Sequence, residues 1–262
     1  MNIYFINTFT EKLFSGNPAA VIMLKEWLSD EILQEISVEN NLPATVFLLH
    51  KNNKYHIRWF TPDYELNLCG HGTLAAAYVV FNKIEPELQE IDFHSRSELI
   101  KAKRKNDIIF LDFPVKNIES CQSITLLTQG LGIEPKQVYQ SNMERCLAIF
   151  ETEEDIRKLK PDMQLLQQLI YRGIDVTAPG RHVDFVSRTF YPKKIITEDP
   201  VCGAAHCLLI PYWAKQLNKT NLHAWQASKR GGELFCFYQN NRVLIGGRSV
   251  LYMQGTVVSP KS

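Results

Sequence analysis

The sequence predicts an α+β protein built from two related halves, and three observations lead there. Most of the chain reads as short alternating or apolar β-type runs separated by turn residues. Each half holds one strongly apolar helix-forming run among those strands, unlike the strand–helix alternation of a parallel α/β sheet. Each of those runs is entered through Cys-Gly: "ELNLCGHGTLAAAYVV" at 65–80 and "TEDPVCGAAHCLLIPYW" at 197–213. Cys69 and Cys202 stand 133 positions apart in a chain of 262 residues, so the motif occurs once per half.

The elements follow in order. "NIYFINTF" alternates as a strand, and "FSGNPAAVIML" places Gly16-Asn17-Pro18 at a turn before a second apolar strand. "SDEILQEISVENN" opens on Ser29-Asp30 as an N-cap and puts Ile32, Leu33 and Ile36 on one helical face. "ATVFLLH" and "YHIRWFTP" are strands joined by the polar turn "KNNK". After the first cysteine helix, "EIDFHSR", "LIKAKRK" and "IIFLDFP" read as antiparallel strands. The polar passage "VKNIESCQS" after Pro114 marks a boundary. It divides the chain into an N-terminal domain, 1–114, to which the C-terminal strand (about 250–262) returns, and a C-terminal domain, 115–249. In the second half "SITLLTQGLGI" is a short helix, "QVYQSN" and "CLAIFE" are strands, and "TEEDIRKLKPDMQLLQQLI" is a helix kinked or broken at Pro161. "GIDVTAPG" and "HVDFVSRTFYP" are strands that lead into the second cysteine helix, and a β-rich tail with glycine turns follows.

Composition narrows the function. Lysine and arginine total 29 against 28 acidic residues, a net charge of +1, which gives no electrostatic case for nucleic acid or an anionic membrane. The short basic cluster "LIKAKRKND" reads as a solvated strand face or turn. No apolar run reaches the length of a membrane span, and the N-terminal residues lack the pattern of a signal peptide. Six cysteines, 69, 121, 146, 202, 207 and 236, show no C-x-x-C and no metal-ligand spacing, so no metal is expected and the thiols read as free in a cytoplasmic protein.

The two Cys-Gly motifs carry the chemistry. A thiol at a helix N-terminus lies beside unpaired N–H groups and the positive end of the helix dipole, which favour thiolate. The same N–H groups can hold a substrate carboxylate. Two thiols facing one carbon can remove an α-proton on one side and return a proton on the other, with no cofactor. Alternatively, Cys69 and Cys202 are small packing residues. His71 reads as an acid/base or hydrogen-bond donor at the substrate, or as a helix-cap histidine. Asp199, in Glu198-Asp199-Pro200, either orients a base or binds a substrate ammonium, or else caps the second helix. Asn17 contacts substrate or serves a turn. His206 and Cys207 read as packing, and "QASKRGG" as a turn between strands. "GHGTLA" fits the pattern of a dinucleotide-binding turn, but the strand before it is polar-edged and no acidic residue ends the next strand, which argues against it.

Together these residues make a resemblance specific. "FSGNPAAV", "RWFTPDYELNLCGHGTLAAA", "SRTFYP", "TEDPVCGAAHCLLIPYW", "QASKRGGEL" and "RVLIGGRSV" stand in the order of the PhzF-like family, named for a phenazine-biosynthesis isomerase, over nearly the whole chain. The resemblance implies the diaminopimelate-epimerase-like fold: two similar domains, each a curved, mostly antiparallel sheet around a central helix, with the active site in the cleft between them. It also implies a homodimer. His71 and Asp199 match the family's functional histidine and aspartate. Ala44 stands where phenazine-type members carry their proton-shuttling glutamate, and Ala204 where serine is frequent. "LNLCGHG" is similar to the first cysteine motif of the proline-racemase group; "DPVCGAA" matches the second loosely, without its glycine-threonine-glycine continuation.

The leading expectation is a cofactor-independent isomerase or epimerase acting on a small carboxylate or amino-acid-like metabolite. Cys69 and Cys202 transfer protons, and His71 and Asp199 orient or polarise the substrate. Backbone N–H groups at Gly70, His71, Gly72, Gly203 and Ala204 hold its carboxylate, with Asn17 beside them. Two alternatives stay open. One is a phenazine-type double-bond shift weakened by Ala44; the other is a catalytically degenerate member that binds a metabolite or a protein partner.

Overall fold

The computed structural model describes residues 1–122, 124–141, 144–239 and 241–258. Ser123 and Asn142, expected to end the polar passage and a strand, and residues 259–262 of the C-terminal strand lie outside them. Residues 1–113 with 244–262 form one compact unit, and 114–243 form the other.

The first unit begins with β1 (Asn2–Thr8) and β2 (Asn17–Leu24). Of the turn expected over Gly16-Asn17-Pro18, only Gly16, at φ +66°, lies in the connection, which spans 9–16; Asn17 and Pro18 already pair with Thr8 and Asn7. Helix α1 (Asp30–Asn40) is capped by Ser29, whose hydroxyl accepts from the Ile32 N–H, and it buries Leu33. Then come β3 (Thr45–Lys51), β4 (Lys54–Phe60) and the two-residue β5 (Glu65–Leu66). Helix α2 (Gly70–Val79) is buried at every residue from His71 to Ala77, so it forms the centre of the unit rather than its surface. One π-helical turn, Val80–Ile84, extends it. Strands β6 (Glu90–His94), β7 (Leu99–Lys105) and β8 (Ile108–Pro114) complete the run. In β7 Ile100 and Ala102 face inward while Lys101, Lys103 and Lys105 are exposed, so the basic cluster is a solvated strand face.

The sheet of this unit runs from the chain's last strand, Ser249–Thr256, through β1, β2, β3, β4, β6 and β7 to β8. The pairs β2–β3 and β4–β6 are parallel and the other pairs are antiparallel.

The second unit repeats this plan. The passage read as polar linker contains a short strand, β9 (Glu119–Cys121), because its backbone pairs with β10. Helix α3 (Thr125–Leu131) ends at Gly132, whose left-handed φ of +77° suits glycine. Strands β10 (Gln137–Ser141) and β11 (Arg145–Ile149) follow. The helical stretch is broken as its proline predicts, into α4 (Glu153–Lys158) and α5 (Met163–Leu166). Then come β12 (Gly173–Pro179), β13 (Phe185–Phe190) and the two-residue β14 (Glu198–Asp199). The central helix α6 (Gly203–Leu217) precedes β15 (Asn221–Gln226), β16 (Gly232–Gln239) and β17 (Arg242–Gly247). Here β11–β12 and β13–β15 are the parallel pairs, again separated by antiparallel ones. Pro211 sits inside α6 without breaking it. The Cys207 carbonyl, four residues back and deprived of a helical donor, accepts from the Lys116 N–H at 3.1 Å.

The two registers fix which residues correspond. Phe60 pairs with both Thr45 and Glu65; Phe190 pairs with both Ile174 and Glu198. Hence Glu65 corresponds to Glu198, Trp59 to Thr189, Val46 to Asp175 and Ala44 to Gly173. Each unit also repeats an anchor ahead of its cysteine. Arg58 grips Glu65 through Nε and Nη2, both at 2.7 Å, and Arg188 grips Glu198 at 2.8 and 3.1 Å. The guanidinium lies over the ring two residues on, 5.0 Å from Phe60 and 4.9 Å from Phe190. A forked, charge-assisted pair of this kind fixes the direction of the turn that follows.

Candidate active site

Both cysteines occupy the N-cap of their unit's central helix, in extended backbone and without a side-chain capping bond. Asp199 therefore does not cap the second helix, one of its two expected roles. Asp199 lies in β14, three residues before Cys202, and Cys202 itself holds the cap position.

In the first unit the Cys69 carbonyl accepts from the Thr73 hydroxyl at 2.7 Å and the Thr73 N–H at 3.0 Å. Its Sγ lies 3.5 Å from His71 Nδ1 and 4.0 Å from Nε2. Thiol and imidazole are both buried, at 5% and 7% exposure. His71 thus faces the sulfur directly, a contact that the sequence reading of His71 as a substrate-facing or capping group did not include. Gly72 is required by packing. A Cβ there would lie 2.9 Å from Trp59 Cδ1 and 3.0 Å from both Cys69 Sγ and Val46 Cγ2. The indole, the valine and the thiol thus all close on the space over Gly72. Trp59 Nε1 is buried and, among the described residues, has no hydrogen-bond partner. Gly70 opens the helix. Asn17 is the first residue of β2, and Ala44 directly precedes β3 and accepts from the Ala20 N–H at 3.0 Å; both are fully buried.

In the second unit the sulfur meets different chemistry. The Cys202 N–H donates to Gln226 Oε1 at 2.8 Å, and Gln226 Nε2 donates to the Asp199 carbonyl at 2.7 Å, which locks the loop into the helix. Gln226, expected in a turn, is a buried strand residue that holds this loop. His206 Nδ1 donates to the Cys202 carbonyl at 2.8 Å. Burial holds the His206 ring down to about 4, so it is neutral and not an acid/base at physiological pH. Gly203 and Ala204 form the first turn of α6.

Cys202 Sγ lies 3.3 Å from the Tyr191 hydroxyl and 3.9 Å from Arg145 Nη2. Arg145 Nη1 donates to the Tyr191 oxygen at 2.8 Å. Its Nε and Nη2 donate to the two oxygens of Asp175 at 2.8 and 2.5 Å, and Thr189 Oγ1 donates to the same carboxylate at 2.8 Å. Burial opposes the Arg145 charge, but Asp175, Tyr191 and Cys202 more than offset it and hold the guanidinium protonated. Burial pushes the Cys202 thiol up to about 11, with Asp199 adding and Arg145 opposing, so the resting group is a thiol. Arg145, Asp175 and Tyr191 were not singled out by the sequence reading. Their one signal was an arginine and an aspartate set in otherwise apolar strands, "RCLAI" and "GIDVTA". Among the described residues no cluster of three metal-ligating side chains occurs, and no helix is long and apolar enough to cross a membrane.

The family model described as phenazine biosynthesis-like protein matches residues 6–255. A protein of Pseudomonas aeruginosa named as an uncharacterized isomerase is 44% identical over 96% of both chains. The crystal structure of a phenazine biosynthesis protein of the PhzF family from Enterococcus faecalis superposes with a TM-score of 0.95, at 42% identity over 98% of this chain and 99% of that one. A hydroxyproline epimerase from Agrobacterium vitis shares the fold at a TM-score of 0.64 and 9% identity, over 97% and 91% of the two chains. The chain belongs to the phenazine biosynthesis-like (PhzF) family and has the α+β, epimerase-like fold of two similar domains.

Proposed function

We propose that this protein is a cofactor-independent isomerase or epimerase that moves a proton at a carbon of a small carboxylate or amino-acid-like metabolite, working as a homodimer. The carrying observation is the repeated placement of a buried thiol at the N-cap of each unit's central helix, each with its own polar partner at the sulfur. The names of the relatives as isomerases, and the fold shared with a hydroxyproline epimerase, support the reaction class.

In this reading Cys69, paired with His71, takes the proton as base, and Cys202, protonated at rest, supplies one from the other face. His71 also polarises the substrate, and Asp199 sets the charge around Cys202. The N–H groups of Gly70, His71, Gly72, Gly203 and Ala204, with Asn17 beside them, take the carboxylate. Ala44 favours this reading over a phenazine-type double-bond shift, because its methyl group carries no proton. The test is deuterium uptake at carbon, followed by NMR, when reduced protein meets a panel of small amino and hydroxy acids in heavy water. Uptake that disappears once Cys69 and Cys202 are alkylated supports the reading. Uptake at no carbon, or uptake that survives alkylation, overturns it.

A further inference from the structure

The arginine at Cys202 spends a bond from each of its three nitrogens on protein groups. Arg145 is buried, and its Nε, Nη1 and Nη2 all donate within the cluster, so it is not a substrate clamp. What its bonds do instead follows from donor arithmetic. A guanidinium never accepts a hydrogen bond, so the Tyr191 oxygen must accept from Arg145 Nη1. The only proton on that phenol is then free to point at the other neighbour of the oxygen, Cys202 Sγ at 3.3 Å. Arg145 Nη2 approaches the same sulfur at 3.9 Å. Asp175 holds the guanidinium by a fork, and Thr189 holds Asp175. Gly173 gives the guanidinium room, since a Cβ there would stand 2.9 Å from Arg145 Cζ.

We propose that Tyr191 and Arg145, fixed by Asp175, are positioning residues that receive the thiolate Cys202 becomes when it gives up its proton. This deepens the functional reading above and rests on it only for the identity of the proton acceptor. In the step, the Cys202 S–H bond breaks and its electron pair stays on sulfur, while the proton forms the new C–H bond with the electron pair left on the substrate carbon when the first proton was removed from its other face. Tyr191 O–H and Arg145 N–H then point at the new anion, so no protein group reorganises at the moment of transfer. The other groups around the sulfur do not compete for this role. Asp175 is spent on Arg145 and Thr189, Asp199 carries negative charge, His206 is neutral and bonded to the Cys202 carbonyl, and Lys194 lies over the Tyr191 ring at 4.2 Å.

The experiment needs no substrate. Cys202 and Cys69 are labelled in the same tube with a small neutral thiosulfonate between pH 7 and 9.5, and both rates are read by mass spectrometry. Tyr191→Phe keeps the ring under Arg145 but removes the donor. Losing it raises the Cys202 titration by about one unit; the tenfold smaller thiolate fraction is partly offset by higher nucleophilicity, so labelling of Cys202 slows about threefold relative to Cys69. Arg145→Lys, which keeps the charge but loses the fork, slows it as well. A Cys202-to-Cys69 ratio that stays the same or rises in Tyr191→Phe overturns the proposal. So does absence of Cys202 labelling in the unsubstituted protein at pH 9.5, because a sulfur closed to a small reagent is closed to substrate. A lack of carbon-bound deuterium uptake, by contrast, defeats the functional reading and leaves this ratio standing.

Discussion

Val46 and Asp175 occupy the same place in two sheets of the same plan, and so do Trp59 and Thr189. In the first unit these positions put an indole and a valine against Gly72, on which the Cys69 thiol also closes. In the second they carry a buried carboxylate and the hydroxyl that steadies it, and Arg145 and Tyr191 fill the space beside Cys202. The Arg–Glu anchors, the two-residue strand, the cysteine N-cap and the bond to the cysteine carbonyl are repeated nearly unchanged. A duplicated backbone thus delivers two thiols to equivalent places, and side chains one layer behind make them chemically unequal. Cys69 has an imidazole as partner, which suits a base; Cys202 has a phenol and a guanidinium, which suit an acid that must become an anion briefly.

The comparison can be broken most forcefully at Asp175. Asp175→Ala leaves Arg145 charged and buried without its carboxylate, and unfolding in urea should show a loss of about 3–5 kcal/mol. A loss below about 1 kcal/mol would mean that the pair does not organise the second unit.

A titration distinguishes the halves next. Thr73 and His206 make the same bond to a cysteine carbonyl, but only His206 ionises. Its folded value, depressed by burial to about 4, lies below the usual 6.5 of an unfolded histidine. The unfolded chain therefore binds the extra proton first. Stability is full above pH 6.5, falls as pH drops from 6.5 to 4, and levels off below. The full contribution is about 3 kcal/mol, of which about 2 kcal/mol is lost between pH 7 and pH 5. It should vanish in His206→Gln, measured as the difference in unfolding free energy between pH 7 and pH 5; an identical pH dependence in that variant would contradict it.

The smallest expected effect is at Ala44, which corresponds in register to Gly173. Restoring the family's glutamate there should give no gain in turnover if the thiols carry the protons. A sharp rise would shift the account to the phenazine-type reaction.

Much of the fold was legible because its signals are local. The alternation in β7, the Ser29 cap, the break at Pro161 and the two Cys-Gly entries each act within a few residues. The β9 strand was missed because polar residues pair through their backbone as well as apolar ones do. The cysteines, His71 and the helix N-termini were read from the motif itself. Arg145, Asp175, Tyr191 and Gln226 were not, because their roles arise from tertiary contacts between residues 11 to 57 positions apart. A charged residue in an apolar strand was the only local sign, and it does not say which partner satisfies it.

The central claim is that both thiols work. It is tested most directly by turnover of Cys69→Ser and Cys202→Ser on a substrate found by deuterium uptake, each variant checked for folding. The account predicts that either substitution alone lowers turnover by at least about a hundredfold, the scale of a lost proton-transfer group. Turnover within a few-fold of the unsubstituted protein in either variant would contradict it.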